Sequence, residues 1–125
     1  MRFAALLLFL STAGFAGTWS GFLVDSRCWT SRQNNVTVES TTVARAMNAD
    51  VRFCSPTHHT KRFAVVLYDW RKLRFDPTGN ARAAKVVANA PERSSYHVIV
   101  QGLLSDKKTI KVGSLSARAF RTTRH

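Results

Sequence analysis

The sequence predicts a mainly β protein with one or two helices, and the expected architecture is a small five-stranded OB-like barrel. Five short segments rich in aromatic and β-branched residues are separated by turn-forming residues, a pattern typical of strands. A helical segment lies between the third and fourth of these strands, which is the order of an OB-type barrel. The chain has 125 residues, a length suited to one domain. A two-layer α+β sheet is the alternative, because strand order alone does not show that the sheet closes.

The N-terminal segment, residues 1–16, has the composition of a signal peptide. Arg2 provides a positive start, residues 3–10 are uninterruptedly apolar, and small residues precede the expected cleavage between Ala16 and Gly17. A membrane-spanning helix needs about 20 apolar residues, and this run is much shorter. We therefore expect a periplasmic or secreted protein without an integral membrane span.

The first half of the remaining chain is predicted to contain a strand, a loop and a helix. Residues 17–25 predict the strand, because apolar side chains occur on both of its alternating faces. Residues 26–38 are polar and are expected to form the loop. Residues 39–49 predict the helix, because apolar residues recur at helical spacing and threonines precede them. The apolar face of this helix comprises Val43, Ala46 and Met47, and its N-cap is Thr41 or Thr42.

The middle of the chain predicts a hairpin followed by a second helix. Residues 63–69 and 73–76 predict two apolar strands, and residues 69–72 predict the turn between them. Residues 76–79, Asp-Pro-Thr-Gly, are a strong turn signal. The helix that follows is expected to be capped by Asn80 and to end before Pro91.

The C-terminal part predicts two more strands and a tail. Residues 96–104 and 109–115 alternate between apolar and polar side chains, and residues 105–108 form the turn between them. Residues 117–125 contain three arginines and are expected to form a basic flexible tail. The single OB-like domain is therefore predicted to comprise residues 17–116.

Cys28 and Cys54 are the two cysteines of the chain. In an exported protein a disulfide between them is favoured, and closing that loop stabilises the folded state by about 3–4 kcal/mol in the chain-entropy model. A metal site is one alternative, because His58 and His59 follow Cys54 and could join two thiolates as ligands. The Cys-x3-His spacing is loose, however, so no metal or other cofactor is expected. Free thiols are the remaining alternative.

The composition is strongly basic, with 19 Lys and Arg residues against 7 Asp and Glu and a formal net charge of +12. Such an excess attracts anions and polyanions and favours weak, salt-dependent binding. Outside the cytoplasm the candidate envelope polyanions are phospholipid head groups, acidic wall or capsule polymers and lipopolysaccharide phosphates, beside free nucleic acid. The alternative is that the charges are spread over a solvated surface and mainly maintain solubility.

One aromatic and basic segment, residues 68–75, is the candidate ligand surface. Its sequence is Tyr-Asp-Trp-Arg-Lys-Leu-Arg-Phe, and aromatic residues interleaved with basic ones are typical of oligonucleotide-binding faces. The alternative places Tyr68 and Phe75 in the core, with Trp70 covering the hairpin. With two arginines of the tail, the candidate anion or ligand surface comprises Trp70, Arg71, Lys72, Arg74, Arg118 and Arg121.

Residues 18–28 read T-W-S-G-F-L-V-D-S-R-C and follow the predicted leader directly. This segment resembles the pattern T-W-x-G-aromatic-aliphatic-x-D-x-x-C of a domain-of-unknown-function family of small exported bacterial proteins, of the acidobacterial type. The likeness continues in the strands at residues 63–67, 97–102 and 109–112. The resemblance implies a compact OB-like barrel of the periplasm and implies no activity. Many of those proteins have more Cys or His after the first motif than this chain has, which argues further against a metal site.

The sequence contains no clear catalytic constellation. Its acidic residues form no close pair, and it has no phosphate-binding glycine loop, nucleophile elbow or HExxH motif. A thiol nucleophile could be drawn from Cys28 with Asp25 and a histidine, but a disulfide consumes that thiol. The predicted function is an exported, small, cationic binding or envelope-associated module rather than an enzyme. We expect a monomer with one disulfide and no specific nucleic acid partner. The alternatives are an OB-type oligonucleotide- or polyanion-binding protein and a Cys/His metal-binding protein.

Overall fold

The computed structural model describes residues 15–33, 43–92 and 94–121. These residues form five strands and three helices. In chain order they are β1 (Phe15–Asp25), α1 (Ser26–Gln33), α2 (Val43–Phe53), β2 (Phe63–Leu67), β3 (Lys72–Phe75), α3 (Pro77–Ala88), β4 (Ser94–Ser105) and β5 (Thr109–Arg121).

The five strands form one sheet that closes in a ring. The order is β1-β2-β3-β5-β4, and β4 also pairs with β1. All neighbours are antiparallel except β3 and β5, which run parallel and pair Arg74 with Thr109 and Phe75 with Ile110. The predicted mainly β class is therefore confirmed, with five strands and with α3 between the third and fourth of them.

The main hydrophobic core lies inside this ring, and α3 packs against it. Alternate residues of the strands point inward, as the period of two in a strand requires. Helix α3 contributes Ala83 and Val87 to the same core. Its other buried members are Leu23, Phe63, Val65, Leu67, Leu73, Phe75, Tyr96, Val98, Val100, Ile110 and Val112.

A second, smaller core lies on the opposite face of β1 and β2 and contacts α1 and α2. Its buried members are Val24, Trp29, Val51, Cys54, Ala64 and Val66. Because both faces of β2 are covered, all five residues of that strand are buried. The predicted disulfide is confirmed: Cys28 of α1 is bonded to Cys54, which directly follows α2.

Strands β1 and β2 approach each other closely at Gly21. A Cβ atom at this position would collide with the carbonyl oxygen of Val66 on β2. Glycine is therefore required in the middle of the T-W-x-G segment, because any side chain would push the two strands apart.

Helix α1 occupies residues 26–33 of the predicted loop, so the prediction is wrong for these residues; residues 34–38 lie outside the described part of the chain. The Asp25 carboxylate accepts a hydrogen bond from the Cys28 backbone N–H at 3.0 Å, which is the geometry of an N-cap. The other Asp25 oxygen accepts from the Thr60 hydroxyl at 2.9 Å. The helix has a weak apolar face, with Trp29 its one large buried residue, so its periodicity was not visible in the sequence.

Helix α2 ends at Phe53, four residues beyond its predicted end, and Met47 packs against the second core. Residues 39–42 of the predicted helix lie outside the described part of the chain. The proposed caps Thr41 and Thr42 lie outside the described residues, as do the side chains of Val43 and Ala46.

The cap of α3 is Asp76 rather than Asn80, which corrects the sequence-based prediction. Asp76 accepts a hydrogen bond from the Gly79 backbone N–H at 3.0 Å, and Pro77 occupies the first helical turn. Asn80 lies inside the helix, and its side-chain oxygen accepts from the Phe63 N–H at 2.8 Å. This contact binds the helix to the start of β2.

The predicted flexible tail is partly a strand. Strand β5 continues through Arg121, and its last residues pair with β4 from Ala117↔Val98 to Arg121↔Ser94. Strand β4 is long enough to pair with these residues along its first half. Residues 122–125 lie outside the described part of the chain.

The predicted signal peptide lies almost entirely outside the described residues. Strand β1 begins at Phe15, and its first two residues, Phe15 and Ala16, pair with Leu104 and Leu103 of β4. Among the residues described, no helix has the length and apolar character needed to cross a membrane.

Candidate functional site

A cleft of about 760 Å³ opens between α1, β3, the start of α3 and the start of β5. Four cationic residues line it together with hydroxyl, amide and apolar groups. The lining residues are Ser26, Arg27, Thr30, Ser31, Arg62, Phe63, Lys72, Arg74, Phe75, Asp76, Pro77, Asn80 and Thr109.

Strand β3 contributes two of the four cations because of its alternation. Leu73 and Phe75 are buried in the main core, so the intervening side chains Lys72 and Arg74 face outward into the cleft. The guanidinium of Arg74 lies 3.4 Å from the hydroxyl of Thr109 on the neighbouring strand β5.

The other two cations, Arg27 and Arg62, come from α1 and from the segment before β2. The Ser26 N–H donates to the Arg62 carbonyl oxygen at 2.9 Å, which holds this segment against the start of α1. Arg62 directly precedes β2, and its side chain lines the cleft. Both arginines are exposed.

Lys72 is the most enclosed of the four cations. Its ammonium donates to the Thr30 hydroxyl at 2.7 Å and lies 3.5 Å from the Ser26 hydroxyl. Burial lowers the pKa of Lys72 below its ordinary value, and the positive charges of Arg74 and Lys108 lower it further. The site therefore has a positive potential that an anion would neutralise.

The single carboxylate among the lining residues, Asp76, has a structural role. Its Oδ1 accepts from the backbone N–H groups of Gly79 and Val112, each at 3.0 Å. Within the described residues, none of the four cleft cations forms a salt bridge, whereas Arg32 and Arg71 pair with Asp50 and Asp69. The cleft thus holds uncompensated positive charge.

The structure divides the candidate surface predicted from the sequence. Lys72 and Arg74 lie in the cleft, but Arg71 is at the β2–β3 turn, where it pairs with Asp69 at 2.9 Å. Arg118 lies on β5, paired in register with His97 of β4. Arg121 is the last residue of β5, and its side chain is not among the described parts of the structure.

The aromatic residues of the same segment also separate. Phe75 is buried, as the core interpretation predicts, whereas Tyr68 is exposed and that part of the interpretation is wrong. Trp70 has a backbone φ of 73° in the turn, and it packs partly buried against the second core. No free aromatic face from this segment lines the cleft.

The histidines considered as metal ligands have other contacts. His58 Nδ1 lies 3.1 Å from the Glu92 carboxylate, and exposed His59 donates its backbone N–H to the Thr57 hydroxyl. Both cysteine sulfurs are in the disulfide. In residues 15–33, 43–92 and 94–121, no group of three or more His, Cys, Asp or Glu side chains could hold a metal ion.

Sequence reasoning missed Arg27 and Arg62 as members of the site. Arg27 belongs to the helix that was predicted as a loop, and Arg62 lies in an irregular segment. The alternation of Lys72-Leu73-Arg74-Phe75 was a usable signal, because it separates two outward cations from two inward apolar residues. Comparison of the chain with protein-family models, curated proteins and solved structures found no match.

Proposed function

We propose that the protein is an exported, cationic binding module that holds an anionic ligand in the cleft beside α1. The observation that carries this proposal is the convergence of Arg27, Arg62, Lys72 and Arg74 on one cleft without carboxylate partners among the described residues. Charged groups brought together at a cost in mutual repulsion are characteristic of ligand sites. Envelope polyanions bearing phosphate or carboxylate groups fit this chemistry, because arginine binds both groups through two parallel hydrogen bonds.

Binding is proposed in preference to catalysis because the carboxylates near the cleft have structural roles. Asp25 caps α1 and accepts from Thr60, and Asp76 caps α3. A general acid or base needs a group that is available to exchange a proton with a substrate. The four cations can bind and orient an anion.

Export is proposed from the leader-like segment and is consistent with the disulfide. Cleavage between Ala16 and Gly17 would remove only the first two described pairs between β1 and β4 and leave the pairs from Gly17 to Phe22. Disulfides form in the periplasm and outside the cell. We further propose an OB-type fold of the exported bacterial family that residues 18–28 resemble, and a monomeric state.

An oligonucleotide ligand is the second candidate for the same cleft. The position of the cations beside β3 and the parallel β3–β5 pair would suit a phosphate backbone. Sequence-tolerant binding of single strands uses aromatic side chains on which bases stack, and the aromatic residues of the cleft, Phe63 and Phe75, are buried. The cleft therefore favours a compact phosphate or carboxylate group over stacked bases.

The test is a salt titration of binding to heparin, lipopolysaccharide and single-stranded DNA. For the cleft we expect the double variant Arg62→Gln/Arg74→Gln to bind its preferred polyanion about tenfold or more weakly and with a shallower salt dependence. The matched control is Arg82→Gln/Lys85→Gln, which removes the same charge from exposed positions of α3. We expect the control to bind within about twofold of the wild type.

Equal losses in the cleft and control variants would show that only net charge matters and would contradict a cleft ligand. Binding confined to DNA and lost in the cleft variant would instead establish the oligonucleotide alternative.

A further inference from the structure

A second surface, on the outer face of β1, β4 and β5, exposes apolar side chains that the cleft does not use. Five large apolar side chains are exposed in the described residues, and four of them belong to this surface: two on β4, one on β5, and Tyr68, which follows β2 and contacts Phe22 of β1. They are Tyr68 at 59%, Ile99 at 50%, Leu103 at 44% and Phe120 at 37% relative exposure. Monomeric proteins seldom leave such side chains together on one face unless they contact a partner.

The strand register places these residues on one face, where Ile99 is flanked by Ser20 of β1 and Ser116 of β5 and Leu103 by Lys111 of β5. His97, Ile99 and Leu103 are outward positions of β4, because the intervening Val98 and Val100 are buried in the main core. Phe22 of β1 is paired in register with His97. We call Phe22, Tyr68, His97, Ile99, Leu103 and Phe120 the outer apolar face; it shares no residue with the cleft.

The rings of this face pack against one another. The His97 ring lies between those of Phe22 and Phe120, with both pairs of ring centroids 4.8 Å apart. Phe22 also contacts Tyr68 edge to face at 5.5 Å. The two faces of the His97 ring are therefore covered by its neighbours, and this ring is not available for stacking with a base.

Two exposed cations border the outer apolar face. Arg118 is paired in register with His97, and Lys111 with Leu103. Neither forms a salt bridge within the described residues. A second copy of the chain would bring these like charges together, and the net charge of +12 adds to that repulsion. The charge complements an anionic surface instead.

We propose that the outer apolar face docks the protein on an anionic lipid surface, with Ile99, Leu103 and Phe120 entering the headgroup region. Aliphatic and aromatic side chains next to Lys and Arg are the combination that holds proteins at membrane interfaces. Tyr68 suits the same boundary because its ring is apolar and its hydroxyl polar. The surface adds a membrane partner to the module and does not depend on the cleft ligand.

The test is sedimentation of the mature protein with vesicles of phosphatidylcholine alone and of phosphatidylcholine mixed with phosphatidylglycerol. We expect binding to the mixed vesicles and a loss of about tenfold or more in Ile99→Thr/Leu103→Thr, which removes apolar area at two exposed strand positions. Arg118→Gln is expected to weaken binding several-fold. Phe53→Gln is the matched apolar control, because Phe53 is 64% exposed but belongs to α2.

Unchanged vesicle binding in Ile99→Thr/Leu103→Thr, or equal weakening by Phe53→Gln, would overturn the proposal. So would a dimer in analytical ultracentrifugation that the double variant dissociates, because a second copy would then cover the face. Loss of DNA binding in this variant with no effect on vesicles would assign the face to nucleic acid. The cleft variant Arg62→Gln/Arg74→Gln is expected to retain vesicle binding while it loses heparin, so the two proposals fail separately.

Discussion

At the scale of single residues, Lys72 is a positive charge in the cleft that is unfavourable for folding. It lies half-buried between Thr30, Ser26 and Arg74, and it has no carboxylate partner among the described residues. A charged group held this way reduces the stability of the fold, and it gives the proposed anion site its positive potential. The two effects can be separated by pH.

Lys72→Met is predicted to change the pH dependence of stability. Burial lowers the pKa of Lys72, so between that pKa and the ordinary 10.5 the unfolded chain holds more protons than the folded chain. The free energy of unfolding of the wild type should therefore gain a rising contribution with pH in this interval, and Lys72→Met should lack it. Urea denaturation at several alkaline pH values measures the difference between the two proteins.

The comparison isolates Lys72 because other groups titrate in both proteins. Burial raises the pKa of Tyr96, for example, and this contribution cancels in the difference. Lys85→Met, at an exposed position of α3, is the control and should follow the wild-type profile. Identical profiles for wild type and Lys72→Met would show that the ammonium is well solvated.

The motif marks Gly21 as a special position, but the sequence does not give the structural reason for a glycine there. The T-W-x-G-x-x-x-D-x-x-C segment marks a glycine, an aspartate and a cysteine. The structure explains them as a close approach to Val66, the cap of α1 and one half of the disulfide. Asp25 caps a helix that follows it directly, but Val66 and Cys54 are distant in sequence from Gly21 and Cys28. The spacing within the motif therefore could not identify these contacts.

At the scale of elements, Asp76 joins α3 to β5 and also faces the cleft. One oxygen accepts from both Gly79 and Val112, so the residue caps the helix and satisfies a strand amide. We expect Asp76→Ala to reduce the free energy of unfolding by about 2–3 kcal/mol, since it removes the cap and leaves a buried N–H without a partner.

Asp76→Asn separates the structural role from the electrostatic one. The amide oxygen can still accept both hydrogen bonds, so we expect a stability loss of about 1 kcal/mol or less. Removal of the negative charge should at the same time strengthen anion binding in the cleft by about two- to fivefold. Calorimetric titration with heparin measures this gain; weaker binding in Asp76→Asn would argue against an anionic ligand.

Sequence patterns predicted the elements that have strong apolar alternation. Strands β2 and β4 are close to their predicted bounds, because residues such as Val65 and Val98 alternate with side chains on the other face. Helix α1 was missed because its formation depends on the Asp25 cap and on Trp29 packing under the disulfide. The last residues of β5 were missed because arginine-rich sequence is extended here only through pairing with the long β4.

At the scale of the whole molecule, the cleft is assembled from parts that are distant in sequence. Two of its cations are visible in the alternation of β3, but Arg27 and Arg62 reach it through the packing of α1 and the start of β2. The parallel β3–β5 pair places Thr109 beside Arg74. This arrangement depends on the order of the strands in the closed sheet, so it could not be predicted from the sequence pattern.

Removal of the disulfide is predicted to affect α1 and α2 more than the strands. The Cys28–Cys54 bond lies in the second core, outside the ring that encloses the main core. We expect Cys28→Ala/Cys54→Ala to lower the free energy of unfolding by about 3–4 kcal/mol. Urea denaturation gives the stability, and amide exchange should show faster opening in α1 than in β4. Equal acceleration of exchange in α1 and β4 would contradict the prediction that the disulfide mainly stabilises the second core.

The position of this bond also links oxidation of the two cysteines to the shape of the cleft. Arg27 and Thr30 belong to α1, and α1 is held by Cys28. Before oxidation the ring of strands can form while one wall of the cleft is still loosely held. The reduced chain would therefore hold Arg27 less firmly against the other cations of the cleft than the oxidised chain does. Disulfide formation thus couples the second core to the geometry of the cleft.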